Sequence, residues 1–333
     1  MDITNRNDVV SICYSTWFKP VASKAVIYDN TEILAGRGEW GPYGSFHYWA
    51  KPALGYYTIT EEVVRTHMQL LQDAGVDFII IDNTNCNSSW VGTGYFTEMV
   101  EEPCNILLNT ILKMRSEGKM TPCVVFWSKN GIDPKNIEYD WVLQKTYDMY
   151  YESGKYDECF VYWDGKPFMI TTSEVPVTMK DKFTMRKMWG LQKSLKTEEW
   201  VFLQKWPQNV SKSKDDLNEQ TCVCAALQQT YMTESTAIGR RGGYTFWEQW
   251  KLAFDEKPKV VTITWWNEWI AQKFEDDKGN PRYVDNYNSA FSRDIEPMDP
   301  SVEGGHGDKY YKWMCEYIKV YRSNLECPKL TDF

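Results

Sequence analysis

Glu268 is the acid in this sequence whose surroundings most suggest proton transfer. It stands in VVTITWWNEWIAQ (Val260–Gln272), where a β-branched run ends in Trp265, Trp266 and Trp269 around Asn267 and Glu268. A carboxyl walled by indole rings is poorly solvated, which disfavours its charged form. Such a group can hand a proton to a leaving oxygen near neutral pH. Breaking a bond between sugars by this route takes a second carboxylate. It lies about 5 Å away where configuration is retained and about 6.5–9.5 Å away where it is inverted. Asp82 and Glu174 are the first candidates, with Asp294 and Glu296 behind them. Each acid also has a bland reading. Glu268 could be a salt-bridged structural acid, Asp82 a cap of the next turn, Glu174 an exposed loop acid, and Asp294 and Glu296 turn-formers beside Pro297.

These acids need a frame, and the chain alternates strand and helix patterns. DVVSICYSTW (Asp8–Trp17), VDFIIID (Val76–Asp82) and TPCVVFWSK (Thr121–Lys129) read as strands, the second with the unbroken apolar run of a strand buried on both faces. TITEEVVRTHMQLLQDAG reads as a helix with Thr60 as N-cap and Gly75 as its stop. EPCNILLNTILKMRSEGK is a second helix, with Pro103 near its start and Gly118 past its end, and a third lies near Lys135 to Ser153. Asp164-Gly165 between two β-prone runs signals a hairpin. EEWVFLQKW, QTCVCAALQQ and KPKVVTITWW are further strands, YTFWEQWKLAF a helix, and DKYYKWMCEYIKVYRSN the closing helix. This alternation predicts a parallel sheet, and the strand count favours an α/β (β/α)8 TIM barrel in one domain spanning 1–333, with long βα loops. Seven strands are visible, and the eighth is expected near Arg282 to Arg293. No Gly-x-Gly-x-x-Gly follows the first strand, which counts against a dinucleotide fold.

In such a barrel the chemistry gathers at the C-terminal strand ends. Those ends supply Tyr14 and Trp17, then Asp82 and Asn83, Trp127, Thr172 to Glu174, Gln228, and finally Trp266, Asn267, Glu268 and Trp269. Hydrogen-bonding groups, acids and aromatic rings in this mixture suit a polyol.

Composition agrees. The 333 residues carry 37 basic and 46 acidic side chains, a net charge of −9, with no basic block for a phosphate backbone. Nucleic acid and anionic membranes are disfavoured as partners. Tryptophan is abundant at 16 residues, beside 21 tyrosines; most must be core, but flat amphipathic rings also serve as platforms for sugars. Nine cysteines without regular spacing and three scattered histidines read as buried small hydrophobes and isolated rings, so no disulfide framework, thiol catalysis or metal site is expected. No segment reaches the roughly 20 apolar residues of a membrane span. MDITNRNDVV is no signal peptide. A leader removed ahead of Met1 would place the protein outside the cytoplasm: extracellular, periplasmic or surface-associated. A monomer is expected.

The stretch RRGGYTFWEQWKLAFDEKPKVVTITWWNEW resembles the C-terminal half of the glycoside hydrolase family 71/99-like group. THMQLLQDAGVDFIIID is similar to that group's second helix and strand, WDGKPFMI to its hairpin, and SRDIEPM with GGHGDKYYKWMCEYIKVYR to the tail of bacterial members. The resemblance covers most of the chain from about Glu61 onward. It implies a (β/α)8 barrel acting on glycans without metal or organic cofactor. Family 99 endo-acting mannosidases carry two glutamates three residues apart here. Glu268 fills the first position, but the second is Ala271.

The leading expectation is a glycoside hydrolase acting on a polysaccharide or N-glycan-type mannan or glucan. Glu268 would be general acid/base, with Asp82 or Glu174 as partner. Substrate contacts would come from Tyr14, Trp17, Asn83, Trp127, Gln228, Arg240, Trp266, Asn267, Trp269, Asp294 and Glu296. The alternatives are a barrel that binds carbohydrate without cleaving it, which Ala271 motivates, and a glycosyl transferase on the same fold.

Overall fold

The structure, a computed structural model, describes residues 1–18, 26–86, 96–129, 141–173, 179–189, 195–227, 237–283 and 288–332. Its strands are β1 (Val9–Tyr14), β2 (Tyr28–Asp29), β3 (Phe46–Tyr48), β4 (Phe78–Asn83), β5 (Cys123–Ser128), β6 (Tyr162–Trp163), β7 (Lys166–Thr171), β8 (Thr184–Met188), β9 (Glu199–Trp200), β10 (Ser211–Lys212), β11 (Asn218–Cys224), β12 (Val260–Thr264), β13 (Ile270–Glu275) and β14 (Pro281–Tyr283). The α-helices are α1 (Asn30–Leu34), α2 (Glu61–Ala74), α3 (Glu102–Ser116), α4 (Trp141–Thr146), α5 (Tyr244–Glu256) and α6 (Lys309–Arg322).

The main sheet runs β11-β12-β1-β4-β5-β7-β8-β9, and every neighbour along this path is parallel. It curls into a nearly closed, barrel-like sheet in a mixed α/β chain. β10 adds to β11 as an antiparallel edge, so the remaining gap lies between β10 and β9, and the Gln220 side chain ties β11 to Val201 just after β9. Its Oε1 accepts the Val201 N–H at 2.7 Å and its Nε2 donates to the Val201 carbonyl at 3.1 Å. Gln220→Leu leaves a buried N–H and a buried carbonyl unpaired, at about 1–3 kcal/mol each. Urea unfolding should show a loss of roughly 2–6 kcal/mol; a loss under about 1 kcal/mol would mean water replaces the amide there.

Two layers of core follow from strand alternation. Val9, Cys13, Phe78, Ile80, Cys123, Val125, Trp127, Phe168 and Val260 fill the inside of the sheet. Val10, Ile12, Tyr14, Ile79, Ile81, Val124, Phe126, Val261 and Ile263 face outward against the helices. Helix α2 starts and stops as its sequence directs. Thr60 Oγ1 accepts the Val63 N–H, and Gly75 ends the helix at φ 84°, a left-handed conformation that a side chain disfavours. Asp164 and Gly165, at φ 53° and 77°, turn β6 into β7 as the Asp-Gly pair predicts. Seven of the cysteines are buried and none is in a disulfide, in line with their reading as small hydrophobes. No helix among the described residues is long and apolar enough to cross a membrane.

Two expectations need correction. The eighth parallel strand is not near Arg282; it is β8, Thr184–Met188. Its sequence, TMRKM, hides the strand because Arg186 is buried there as an ion. Arg186 Nε and Nη2 lie 2.7 and 2.9 Å from the carboxylate oxygens of Glu219 on β11. The strict alternation of strand and helix also fails, since among the described residues no α-helix separates β7, β8 and β9. The region near Arg282 instead contributes β14 to a second sheet, ordered β14-β13-β3-β2. Through β2 and β3 that sheet takes in parts of the long stretch between β1 and α2.

Candidate functional site

A cleft of about 240 Å³ opens at the C-terminal ends of the parallel strands. Asp82, Thr84, Asn85, Trp127, Trp189, Phe202, Leu203, Trp265, Glu268 and Arg293 line it. Two of the three acids singled out as catalytic, Asp82 and Glu268, therefore share one cavity. The third, Glu174, lies outside the described residues, as does Gln228.

Asp82 is the penultimate residue of β4 and is buried. Its Oδ1 accepts the Thr84 N–H at 2.8 Å, so it caps the turn and faces the cleft at once. Glu268 follows β12, with its side chain 12% exposed. Arg293 Nη2 donates to Glu268 Oε2 in an ion pair. The indole wall is present too: Trp265 and Trp127 line the cleft, and the Arg293 guanidinium sits 5.6 Å from the Trp265 ring centre. Desolvation by the rings raises a carboxyl, whereas an adjacent guanidinium favours its charged form. The rings adjoin Glu268 in sequence, whereas the guanidinium comes from 25 residues further on. Beneath the acids, burial pushes the Cys13 thiol well up, and the charges of Asp82 and Glu268 add to the rise.

The aromatic wall is built from Trp127, Phe202, Trp265 and Trp189. Trp127 meets Phe202 edge-on at 4.7 Å and lies 6.4 Å from both Trp265 and Trp189. Its Nε1 donates to the Met188 carbonyl at 3.0 Å, which fixes the ring. Trp189 is the outermost ring, 37% exposed.

Several expected substrate contacts are corrected. Tyr14 is fully buried on the helix side of the sheet, its hydroxyl bonded to His67 Nδ1 at 2.8 Å. Trp266 is buried on the same side, and Trp269 stacks on Trp49. Asn267 is spent on the end of β1, accepting the Ser15 N–H at 2.8 Å and donating to its carbonyl at 3.1 Å. Asn83 and Arg240 are buried; Arg240 Nη2 donates to the Asp294 carbonyl at 2.7 Å. Asp294 and Glu296 are sealed below the cleft. Trp17 is half-buried, with its Nε1 on the Asp82 carbonyl at 3.0 Å, and does not line the cleft. Among the described residues, Trp127 alone of the expected sugar contacts is a wall residue.

Geometry explains the misses. Alternation along β12 places Thr262 and Thr264 inward, so extrapolating it would bring Trp266 to the cleft. The chain leaves the strand after Thr264. Trp265 N–H then donates to the Arg293 carbonyl and Trp266 N–H to the Cys13 carbonyl. Trp265 thereby joins the inner layer and Trp266 the outer one. Arg293, Trp189, Phe202 and Leu203 were not foreseen. The signal for Arg293 was in SRDIEPM: a lone cation beside two acids that all proved to be buried.

No family model matches the sequence, and no curated protein matches it significantly. Solved structures do match. The GH99 endo-alpha-mannosidase from Bacteroides thetaiotaomicron aligns with a TM-score of 0.59 at 15% identity, over 95% of this chain and 98% of that one. The same enzyme in complex with bis-tris-propane aligns with a TM-score of 0.60 at 14% identity and the same coverage. This supports the relationship to the family 71/99-like group at the level of architecture: the chain shares the fold of the family 99 endo-alpha-mannosidase structures.

Proposed function

We propose that residues 1–333 form one glycan-active domain, a variant (β/α)8 barrel, and that it is a glycoside hydrolase. The observation that carries this is the pairing of Asp82 and Glu268 in one aromatic-walled cleft at the C-terminal strand ends. The substrate is an α-linked glycan of the mannan or glucan class, and the fold-mate's named activity makes α-mannose-containing chains the first to try. Glu268, held by Arg293, enters the reaction as the carboxylate that takes a proton or stabilises the sugar cation. Proton delivery to the leaving oxygen then falls to Asp82 or Glu174. The aromatic wall binds the apolar face of the sugar ring. No cofactor is called for, and a monomer suffices.

Incubation with α-mannan, high-mannose N-glycans, α-glucans and β-mannan, assayed for new reducing ends, tests this. Release from an α-linked member supports hydrolysis. Ala271 keeps a second reading in view. Where the resemblance calls for a second glutamate, Ala271 sits in β13 paired with His47 of the second sheet. Tight glycan binding with no release over days would favour a binding protein, and products larger than the substrate a transferase.

Trp189 gives a separate check, because a ring exposed at the rim is cheap to remove. Trp189→Ala is expected to weaken glycan binding by about 1 kcal/mol or more, roughly fivefold or more in Kd. The melting temperature should stay nearly constant. Unchanged affinity by calorimetry would take Trp189 out of the binding surface.

A further inference from the structure

Asp294 does not reach the cleft, yet it touches the acting acid. Its Oδ1 accepts the Glu268 backbone N–H at 2.5 Å. Its Oδ2 accepts Trp49 Nε1 at 2.6 Å, and Ser292 Oγ lies 3.2 Å from the same oxygen. Trp49 stacks on Trp269, with centroids 4.6 Å apart and planes 12° from parallel. Trp269 in turn donates its Nε1 to Glu296 Oε2 at 2.5 Å. Two stacked indoles thus give their N–H groups to two carboxylates of one short segment. Glu268 is next in sequence to one of them.

That segment is itself pinned. Ile295 N–H donates to the Trp265 carbonyl at 2.9 Å, and Glu296 N–H to the Trp266 carbonyl at 3.0 Å. Glu296 also accepts Tyr57 Oη at 2.7 Å and His67 Nε2 at 2.9 Å. Arg293 and Asp294 are neighbours: the first holds the Glu268 carboxylate, the second its backbone. Glu268 is gripped at both ends by consecutive residues.

We propose that Asp294 is a positioning residue, which through its bonds to Trp49 and the Glu268 N–H sets the orientation of the Glu268 carboxyl in the cleft. The proposal rests on the reading above only in taking Glu268 as the acting acid.

An ionised carboxylate suits this place because it offers acceptors alone. The indole and amide N–H groups are obligate donors, and a neutral carboxyl or an amide would turn a donor of its own among them. Burial pushes the Asp294 carboxyl up to about 6, against the pull of Trp49, the Glu268 N–H, Arg240 and Arg293. The groups around it are accounted for. Arg240 meets its carbonyl, Arg293 precedes it, and Glu268 lies ahead of it. His306, stacked behind Trp49, is held neutral by burial. As pH falls through about 6, Asp294 takes up a proton and one of its bonds to the indole or amide is lost. Activity should fall with it. Stability has the opposite sign. A raised carboxyl contributes stability fully below its unfolded value near 3.8, and that contribution is lost as pH rises through about 6.

The test compares Asp294→Asn and Trp49→Phe with the unaltered protein. On any hydrolysed glycan, Asp294→Asn is expected to lower kcat by about 10- to 100-fold with KM nearly unchanged, as small misplacements of a reacting group do. Its profile should lose the acid limb near pH 6. Trp49→Phe keeps the stack and removes the indole bond to Asp294 Oδ2, leaving Ser292 Oγ there, so its kcat loss should be smaller. The double variant should be no worse than Asp294→Asn alone. An Asp294→Asn enzyme that keeps the acid limb, or loses only melting temperature, overturns the proposal. A second readout needs no turnover. In protein carrying ¹³C-carboxyl glutamate, the Glu268 signal, identified by its absence in Glu268→Gln, is titrated with and without Asp294→Asn. A moved midpoint supports positioning even if no glycan is cleaved; an unmoved midpoint refutes it even if one is.

Discussion

Glu268→Gln is expected to lower kcat on the cleaved glycan by about 10²- to 10⁴-fold, the usual contribution of a group that moves a proton in the transition state. The change keeps the side chain's shape and removes its charge. It also ends the ion pair with Arg293, which is almost fully buried. Binding draws mainly on the aromatic wall, so the Kd for the glycan should move by less than about threefold. Such a split between kcat and Kd is the mark of an interaction made chiefly in the transition state. Calorimetry and initial rates on one preparation check it. A variant with unchanged turnover would remove Glu268 from the mechanism.

Arg186→Met should give the largest loss of stability, about 3–5 kcal/mol, the cost of stripping one partner from a buried ion pair. Glu219, only 2% exposed, would keep Trp200 Nε1 at 2.7 Å as a partner but lose the bidentate guanidinium. The pair joins β8 to β11 across the span where the sheet's ladder is interrupted, so the loss falls where the barrel is least reinforced. The double replacement Arg186→Met, Glu219→Met should recover only part of the stability: Glu219 no longer strands a charge, but Trp200 Nε1 loses its acceptor and Glu198 its pairing with Arg186. Chemical denaturation of the three proteins decides it. A single replacement costing under about 1 kcal/mol would show that water reaches Glu219.

What the sequence disclosed follows from how local each signal is. The unbroken apolar run FIII, the Thr60 cap, the Gly75 stop and the Asp-Gly turn are written in a few adjacent residues, and each stands where it was expected. Strand TMRKM was illegible because its central arginine is stabilised by Glu219, 33 residues on. No window on the strand itself contains that partner. At the site, Asp82, Trp127 and Glu268 were legible as strand-end residues of fitting chemistry. Trp265 and Arg293 were not. The first depends on where the chain leaves β12, and the second on a segment returning after the excursion through β13 and β14. Asp294 and Glu296 were recognised as notable acids, but their burial turns them from candidate partners of Glu268 into its supports.

The most direct measurement of the central claim is a crystal structure of Glu268→Gln soaked with an oligosaccharide from a cleaved glycan. A sugar ring against Trp127 and Trp265, with a glycosidic oxygen in hydrogen-bonding reach of Asp82 or residue 268, is the expected result. A glycan bound elsewhere on the surface, leaving that cleft filled only with water, would contradict the account.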